Sequence, residues 1–426
     1  MPGMPHSEKM VLLLGGRGSM VRKRMRRFVA RSVRVLAVPV VLAGVAAAAG
    51  IAPAGPAVAA VAAQARIGEP RTFIPFDGQF NGAAVTSGGA AWAVGLDSGP
   101  MAQYWNGKTW TAKSTLGLNA PDGTFYSVAA TAPGNAWAVG FIPGADSQAS
   151  LIARWNGKAW KRVSSPNPGP EGTILTGVAA TSASNAWAVG STGAQKTVIE
   201  HWNGKSWARV ASPNPGTYDQ LWAVTASSAS NAWAVGMTQN TKDAQELHTL
   251  ILHWNGKVWS QVASPTPTGL GVQLYGVKAT SATNAWAVGY SAVYSEGWKT
   301  LILHWNGKVW TQVPSPDPVA VKSSELTWNI LQGVTATSAS NAWAVGYSET
   351  SLNGSKTMIL HWNGKTWKQV PSPNPSCSTC DSLYGVAAGS ASSAWAVGTV
   401  NAGGLVVLLH WNGKKWVNFQ SANALL

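Results

Sequence analysis

The sequence predicts an all-β protein, a seven-bladed β-propeller of four-stranded antiparallel blades. Three observations lead there. The string AWAVG occurs seven times, with its tryptophan at 92, 137, 187, 233, 286, 343 and 395. WNGK also occurs seven times, beginning at Trp105, Trp155, Trp202, Trp254, Trp305, Trp362 and Trp411. The six steps from Trp92 to Trp395 cover 303 residues, a repeat of about 50 with no helical period inside it. Units of that length, each too thin to bury its own apolar residues, must stack on one another in a ring.

Residues 274–316 show one unit. "LYGVKAT" (274–280) reads as a short apolar first strand, and "AWAVGY" (285–290) as a second of alternating large and small residues. "TLILHWN" (300–306) is the third and "VWTQVPSP" (309–316) the fourth, ended by proline. Between them Asn306–Gly307 is expected to supply the two positive φ values of a type I′ hairpin. Within AWAVG, Trp and Val share one side of the strand and Ala, Ala and Gly the other, so a bulky face can lie on the flat face of the next blade. The column Gly82, Ser127, Gly177, Ala223, Gly276, Gly333 and Gly385 holds only small residues, as crowding around a central axis requires.

Spacing divides the molecule into two rims. From the first strand to the AWAVG tryptophan is always 12 residues, and from the WNGK tryptophan to the next is always five. The second-to-third connection, measured between tryptophans, varies from 13 to 21, and the blade-to-blade connection from 14 to 21. In an up-and-down blade these two variable connections share one rim. Loops of free length on a rigid scaffold are the place for a binding site.

Three segments are expected: an export leader at 1–65, an N-terminal extension at 66–79 and the propeller at 80–426. "VRKRMRRFVARSVR" (21–34) is basic, "VLAVPVVLAGVAAAAGIA" (35–52) is apolar, and small residues suit cleavage after Ala59, Ala62 or Ala65. That is the order of a secretion signal; Pro39 and the many alanines make a poor membrane anchor. Nine of the 31 Lys and Arg and one of the 16 acids lie in the leader, so the remainder carries 22 − 15 = +7 rather than +15. So mild a charge does not argue for nucleic acid. Cys377 and Cys380 in "SCSTCDS" are too few for a zinc site and lack the following helix of a redox motif; a small disulfide across one loop is the expectation. "RTFIP" (71–75) aligns with a fourth strand although blade seven already has "KWVNFQS", so it either adds an edge strand or crosses the rim.

The repeated side chains need weighing one column at a time. Three columns of seven take up 21 of the 24 tryptophans and read as core. His201, His253, His304, His361 and His410, replaced by Tyr104 and Arg154 in the first two blades, come one per blade on strands that diverge outward, so they are structural and no metal is expected. Lys108, Lys158, Lys205, Lys257, Lys308, Lys365 and Lys414 ring the constant rim. They are either a soluble turn copied with the repeat or a docking surface for an anionic envelope polymer or membrane. Trp298 and Trp328 lie in variable-rim loops of neighbouring blades; with Tyr294, Glu296 and Glu325 they form a candidate aromatic and acidic site for a sugar or peptide. The alternative is that long loops carry their own apolar anchors.

"AWAVGY" followed by "LILHWNGKVWTQVPSP" resembles the kelch type of propeller repeat over all seven units, about 80–420. The residue after AWAVG departs from the paired glycines of that family, being Leu96, Phe141, Ser191, Met237, Tyr290, Tyr347 or Thr399. "NGKTW" (363–367) looks like the tail of the Asp-box of sialidase-like propellers, with Trp362 where that motif has Asp. Both resemblances imply possible enzymes. The copper-radical oxidases similar to kelch proteins need a Cys–Tyr link near the axis, which these loop cysteines do not offer. Sialidases need an arginine cluster, whereas Arg66, Arg71, Arg154, Arg162 and Arg209 are scattered. Asp243 with Glu246, or Glu296 with Glu325, would have to stand ~5–9.5 Å apart to hydrolyse a glycoside. The sequence therefore predicts an exported, monomeric, non-catalytic binding module without a cofactor, taking a glycan or an extracellular protein on its variable rim. A glycan-active enzyme with carboxylates on that rim is the rival, and envelope association through the lysine ring the third reading.

Overall fold

Each copy of the repeat forms one blade whose four antiparallel strands follow one another in chain order. The blades span 79–112, 124–162, 173–210, 218–261, 271–312, 327–370 and 381–418. In this computed structural model the described residues are 78–144, 147–166, 171–239, 247–267, 271–293, 297–319, 327–351, 354–375, 381–400 and 405–419. The leader, the extension up to residue 77 with its "RTFIP" segment, and Cys377 with Cys380 fall outside them. The chain divides into Met1–Glu69 and a second unit, Pro70–Leu426, which holds every blade.

Strands one to three of blade five run further than the sequence predicts, over Gly271–Ser281, Asn284–Val293 and Gly297–Trp305. The fourth is only Trp310–Gln312. Val313 still donates its N–H to the Ile302 carbonyl, but Pro314 and Pro316 have no N–H to give and the strand ends there.

The type I′ hairpin does not form. Trp305 pairs directly with Trp310, leaving four loop residues, and among these only Gly307 has positive φ (+94°). Asn306 stays at negative φ because its side chain makes the turn: Oδ1 accepts the N–H of Lys308 (2.9 Å) and of Val309 (3.0 Å). The same pair of bonds is present in all seven blades. In six of them the WNGK indole N–H reaches across to a carbonyl of the first-to-second turn at 3.0–3.2 Å, as from Trp305 to Ala282. The two constant-length turns therefore share one rim and are tied together.

Blades pack large face against small. Trp286 and Val288 lie on Ala342 and Ala344 of the next blade, and Trp187 and Val189 on Ala232 and Ala234. At the axis a Cβ added to Gly276 would stand 3.1 Å from the Cα of Gly333, and one on Gly385 3.1 Å from that of Gly82. Each first strand also carries a bulge, such as that between Leu274 and Gly276. It pushes the backbone against the AWAVG glycine: a Cβ on Gly289 would run into the Gln273 carbonyl.

One aromatic joint recurs at every blade boundary. The AWAVG tryptophan of one blade packs on both outer tryptophans of the next: Trp286 is 4.9 Å from Trp362 and 5.1 Å from Trp367, the second at 90°. The first and last blades use the same joint, with Trp395 at 5.2 Å from Trp105 and 5.0 Å from Trp110. Phe419 packs edge-on against Trp105 and Trp395, 5.1 Å from each. Among the described residues no strand is exchanged across this seam, which these rings close together with a hydrogen bond from the Thr399 hydroxyl to the Gly78 carbonyl (3.4 Å).

Trp395→Ala should therefore destabilise the protein by about 3–5 kcal/mol, as much as Trp286→Ala does at an interior boundary. Urea unfolding followed by tryptophan fluorescence compares the two, and a much smaller loss for Trp395 would mean the ring is open there.

Candidate functional site

The repeated histidines are held inside their own blades. His304 Nε2 and Asn284 Oδ1 are 2.8 Å apart, and Asn284 in turn donates to the Thr280 hydroxyl. His201, His253 and His361 make the same bond to Asn185, Asn231 and Asn341, while His410 reaches Ser393. Each ring also packs on the AWAVG tryptophan of its own blade at 4.1–4.3 Å. Burial lowers all five pKa values, keeping the imidazoles neutral around pH 7. Arg154 replaces His in blade two and takes the same place, donating to Asn135 and standing 5.1 Å over Trp137. Among the described residues no three His, Cys, Asp or Glu come together as a metal site would need. The seven lysines of the constant rim are all exposed.

At the variable rim the third strand of blade five and the first of blade six touch. Trp298 stands in parallel register with Trp328, and among the described residues this pairing joins the two blades into an eight-stranded sheet. Asn329, almost fully buried, fastens the junction: its Nδ2 donates to the Trp298 carbonyl (3.3 Å) and the Val319 carbonyl (3.1 Å), and its Oδ1 accepts the Val319 N–H (3.2 Å). Trp298 stacks on Tyr290 at 4.3 Å and 7°. Both tryptophans are partly buried, and Tyr290 beneath Trp298 is buried. Tyr294, Glu296 and Glu325, the other members expected of this site, lie outside the described residues.

Residues that the sequence reading did not place in the site extend it toward the axis. Tyr275 is the bulge residue of blade five, 5.9 Å from Tyr290, and Trp222 is its neighbour from blade four at 5.6 Å. Burial raises the pKa of Tyr290, with smaller contributions from Tyr275 and Tyr347; burial also raises that of Tyr347, followed by Tyr384, Tyr275 and Glu349. These groups thus feel one another across blades five, six and seven. Glu349 pairs across strands with Trp328, and burial raises its carboxyl pKa. The signal was present in the sequence: tyrosine follows AWAVG in blades five and six only.

A second unforeseen residue is Glu200. It occupies the third-strand position held by Leu252, Leu303, Leu360 and Leu409 in later blades, is fully buried, and neither carboxylate oxygen has a hydrogen-bond partner. Burial pushes its pKa up to about 8, against a smaller opposing pull from Arg209.

No protein-family model matches the chain, and no curated protein sequence matches it. Solved structures show its fold. YCF48 from Cyanidioschyzon merolae is 14% identical over 80% of this chain and 98% of its own, with a TM-score of 0.51. The GH74 xyloglucanase from Xanthomonas campestris is 13% identical over 80% of this chain, with a TM-score of 0.51; the chain spans 54% of that enzyme. A PL25 ulvan lyase, bound to a GlcA-Rha3S saccharide, is 10% identical over 83% of this chain and 99% of its own, with a TM-score of 0.50. The likeness is one of β-propeller architecture, and that fold alone does not decide between a binding and a glycan-active role.

Glu200 makes stability fall with rising pH. The unfolded carboxyl loses its proton near pH 4.5 and the folded one only near 8, so between those values unfolding releases a proton and alkali favours it. The five histidines, whose pKa values burial lowers, act in the opposite sense, so the share of Glu200 is read as the difference between the protein and its Glu200→Leu variant. That difference in melting temperature should widen in favour of Glu200→Leu from about pH 4.5 to 8 and level off above; calorimetry showing a difference that does not change with pH would remove Glu200 as its source.

Proposed function

We propose that the protein is an exported binding propeller, without catalysis of its own, that takes a glycan or an extended stretch of an extracellular protein on its variable rim over blades five and six. The observation that carries this reading is the Tyr290–Trp298 stack in register with Trp328. Trp298 and Trp328 are partly exposed, Trp298 rests on the buried ring of Tyr290, and a buried asparagine fastens the pair at a rim where loop length is free to vary. Aromatic faces of this kind bind the apolar side of a sugar ring or a flat peptide group, and they need little ordering when the ligand arrives. Tyr294, Glu296 and Glu325 complete the site in this proposal. Export rests on the basic-then-apolar order of 21–52; among the described residues no helix is long and apolar enough to cross a membrane. The order of AWAVG and WNGK makes kinship with kelch-type blades part of the same reading.

One observation favours a rival. Glu349 is a half-buried carboxyl whose pKa burial raises, near the buried Tyr347 and the partly buried Tyr384, and a raised carboxyl pKa is what a general acid requires. If the chain cleaves a glycan, this group is the candidate acid.

A glycan array probed with the chain identifies the ligand class. Trp298→Ala and Trp328→Ala should each weaken binding of whatever is retained by about tenfold, the ~1.4 kcal/mol scale of an aromatic contact, measured at a temperature where each variant, though somewhat less stable, is fully folded. Unaltered affinity in both variants would remove the platform from the proposal. Turnover of the retained glycan by the parent, abolished in Glu349→Gln, would transfer the case to the enzyme reading.

A further inference from the structure

The two rims differ in charge as well as in length. Each of the seven third-to-fourth turns on the constant rim presents the WNGK lysine, joined in blade seven by Lys415, and none of the fourteen turn segments on that rim contains an aspartate or glutamate. Among the described residues the carboxylates lie toward the opposite rim, as at Asp97, Asp122, Asp317 and Glu349, or inside a blade, as at Glu200. The lysine backbone is fixed, because its N–H is held by the turn asparagine at 2.9–3.1 Å in every blade. The side chains are exposed. Seven equivalent turns on one rim place seven ammonium groups close to one plane, facing the same way.

Geometry decides what such a ring can engage. The turns stand between two and three strand spacings of ~4.8 Å outside the innermost strands, so neighbouring lysines round the ring are roughly 15 Å apart. That exceeds the screening length of ~8–10 Å at ordinary salt, so the seven charges neither repel one another strongly nor fuse into one focused field. A linear polyanion would have to bend around the ring to meet more than two or three of them, whereas a flat anionic surface meets all seven at once. The residue type agrees: all seven are lysine and none is arginine, so the column offers point charges rather than the bidentate fork that reads a defined carboxylate or phosphate. Two of the few exposed large apolar side chains sit beside this ring on adjacent blades, Val258 after Lys257 and Val309 after Lys308, at 56% and 54% exposure. A soluble polymer has no use for them, but a bilayer interface accepts them.

We infer that the constant rim is a docking face for an anionic lipid surface, which would hold the propeller flat with its variable rim turned away from the membrane and open to ligand. The inference is independent of what that variable rim binds.

Vesicle flotation tests it, using the chain from Pro70, the unit that contains every blade and lacks the basic leader. The parent should float with vesicles containing about a third anionic phospholipid, stay behind with purely zwitterionic ones, and be released in ~1 M salt, where the screening length shrinks to ~3 Å. Changing Lys108, Lys158, Lys205, Lys257, Lys308, Lys365 and Lys414 together to Gln should reduce the floated fraction at least tenfold, and changing the same seven to Arg should restore it. A smaller drop from the Val258→Ser, Val309→Ser pair is expected with vesicles and none with soluble polyphosphate. Melting temperatures near that of the parent check that each variant is folded. Flotation unchanged in the Gln variant would overturn the inference. So would failure of the parent to float, or retention by polyphosphate without binding to vesicles.

Discussion

The fold depends on one joint, an indole pressed between two indoles of the neighbouring blade. A four-stranded blade cannot shield either of its faces, and its innermost strand lies against others too closely for side chains of any size. Burial must therefore be won further out, where the blades diverge and a gap opens that only large flat rings can fill. The AWAVG tryptophans fill it and are at most 2% exposed. Because an indole buries ~150–250 Å², seven such joints supply a large share of the apolar burial that offsets the chain entropy of ordering the ring. The joint between blades seven and one is built from the same three indoles as the other six.

That constraint separates structure from chemistry along the molecular axis. What sets the joint lies between the constant rim and mid-blade: the turn asparagine and the bulge against the AWAVG glycine recur in all seven blades, the indole bond across the constant rim in six, and the histidine on its asparagine in four. The variable rim is released from it. There the connections are fastened one by one by local polar devices. Asn329 fixes the link between blades five and six. Asp219, buried near the start of blade four, accepts the Gly216 N–H and the Thr238 hydroxyl and pairs with Lys196 at 3.7 Å. Individual anchoring is what lets one rim hold different side chains in different sectors, with the aromatics gathered over blades five to seven.

Departures from the repeat are informative because the background is so regular. Glu200 in a leucine column is a cost with no compensating bond. Tyrosine after AWAVG in blades five and six, by contrast, comes with a tryptophan at Trp298 to stack on and with bulge tyrosines next to it at the axis. Trp298 and Trp328 were legible as neighbours from their loop positions, since blade order places sequence-distant connections side by side. Tyr275, Tyr384 and Glu349 were not. A bulge decides which first-strand residue leaves the ladder and turns toward the axis, and a bulge arises from the fit of three strands rather than from the letters of one.

The amino-acid sequence by itself determined the number of blades, the four-strand order, the two rims and the identity of the core. Each of these follows from spacing and from the alternation of large and small side chains, which are properties of neighbours in the chain. Tertiary structure decided the turn geometry, the joining of blades five and six into one sheet, and the make-up of the aromatic patch. A parallel pairing between connections of unequal length and the gathering of tyrosines from three blades depend on distances between residues far apart in the chain, whereas the turn is local: the letters Asn-Gly fit two geometries, and only the folded backbone shows that the asparagine side chain takes the N–H groups of Lys308 and Val309.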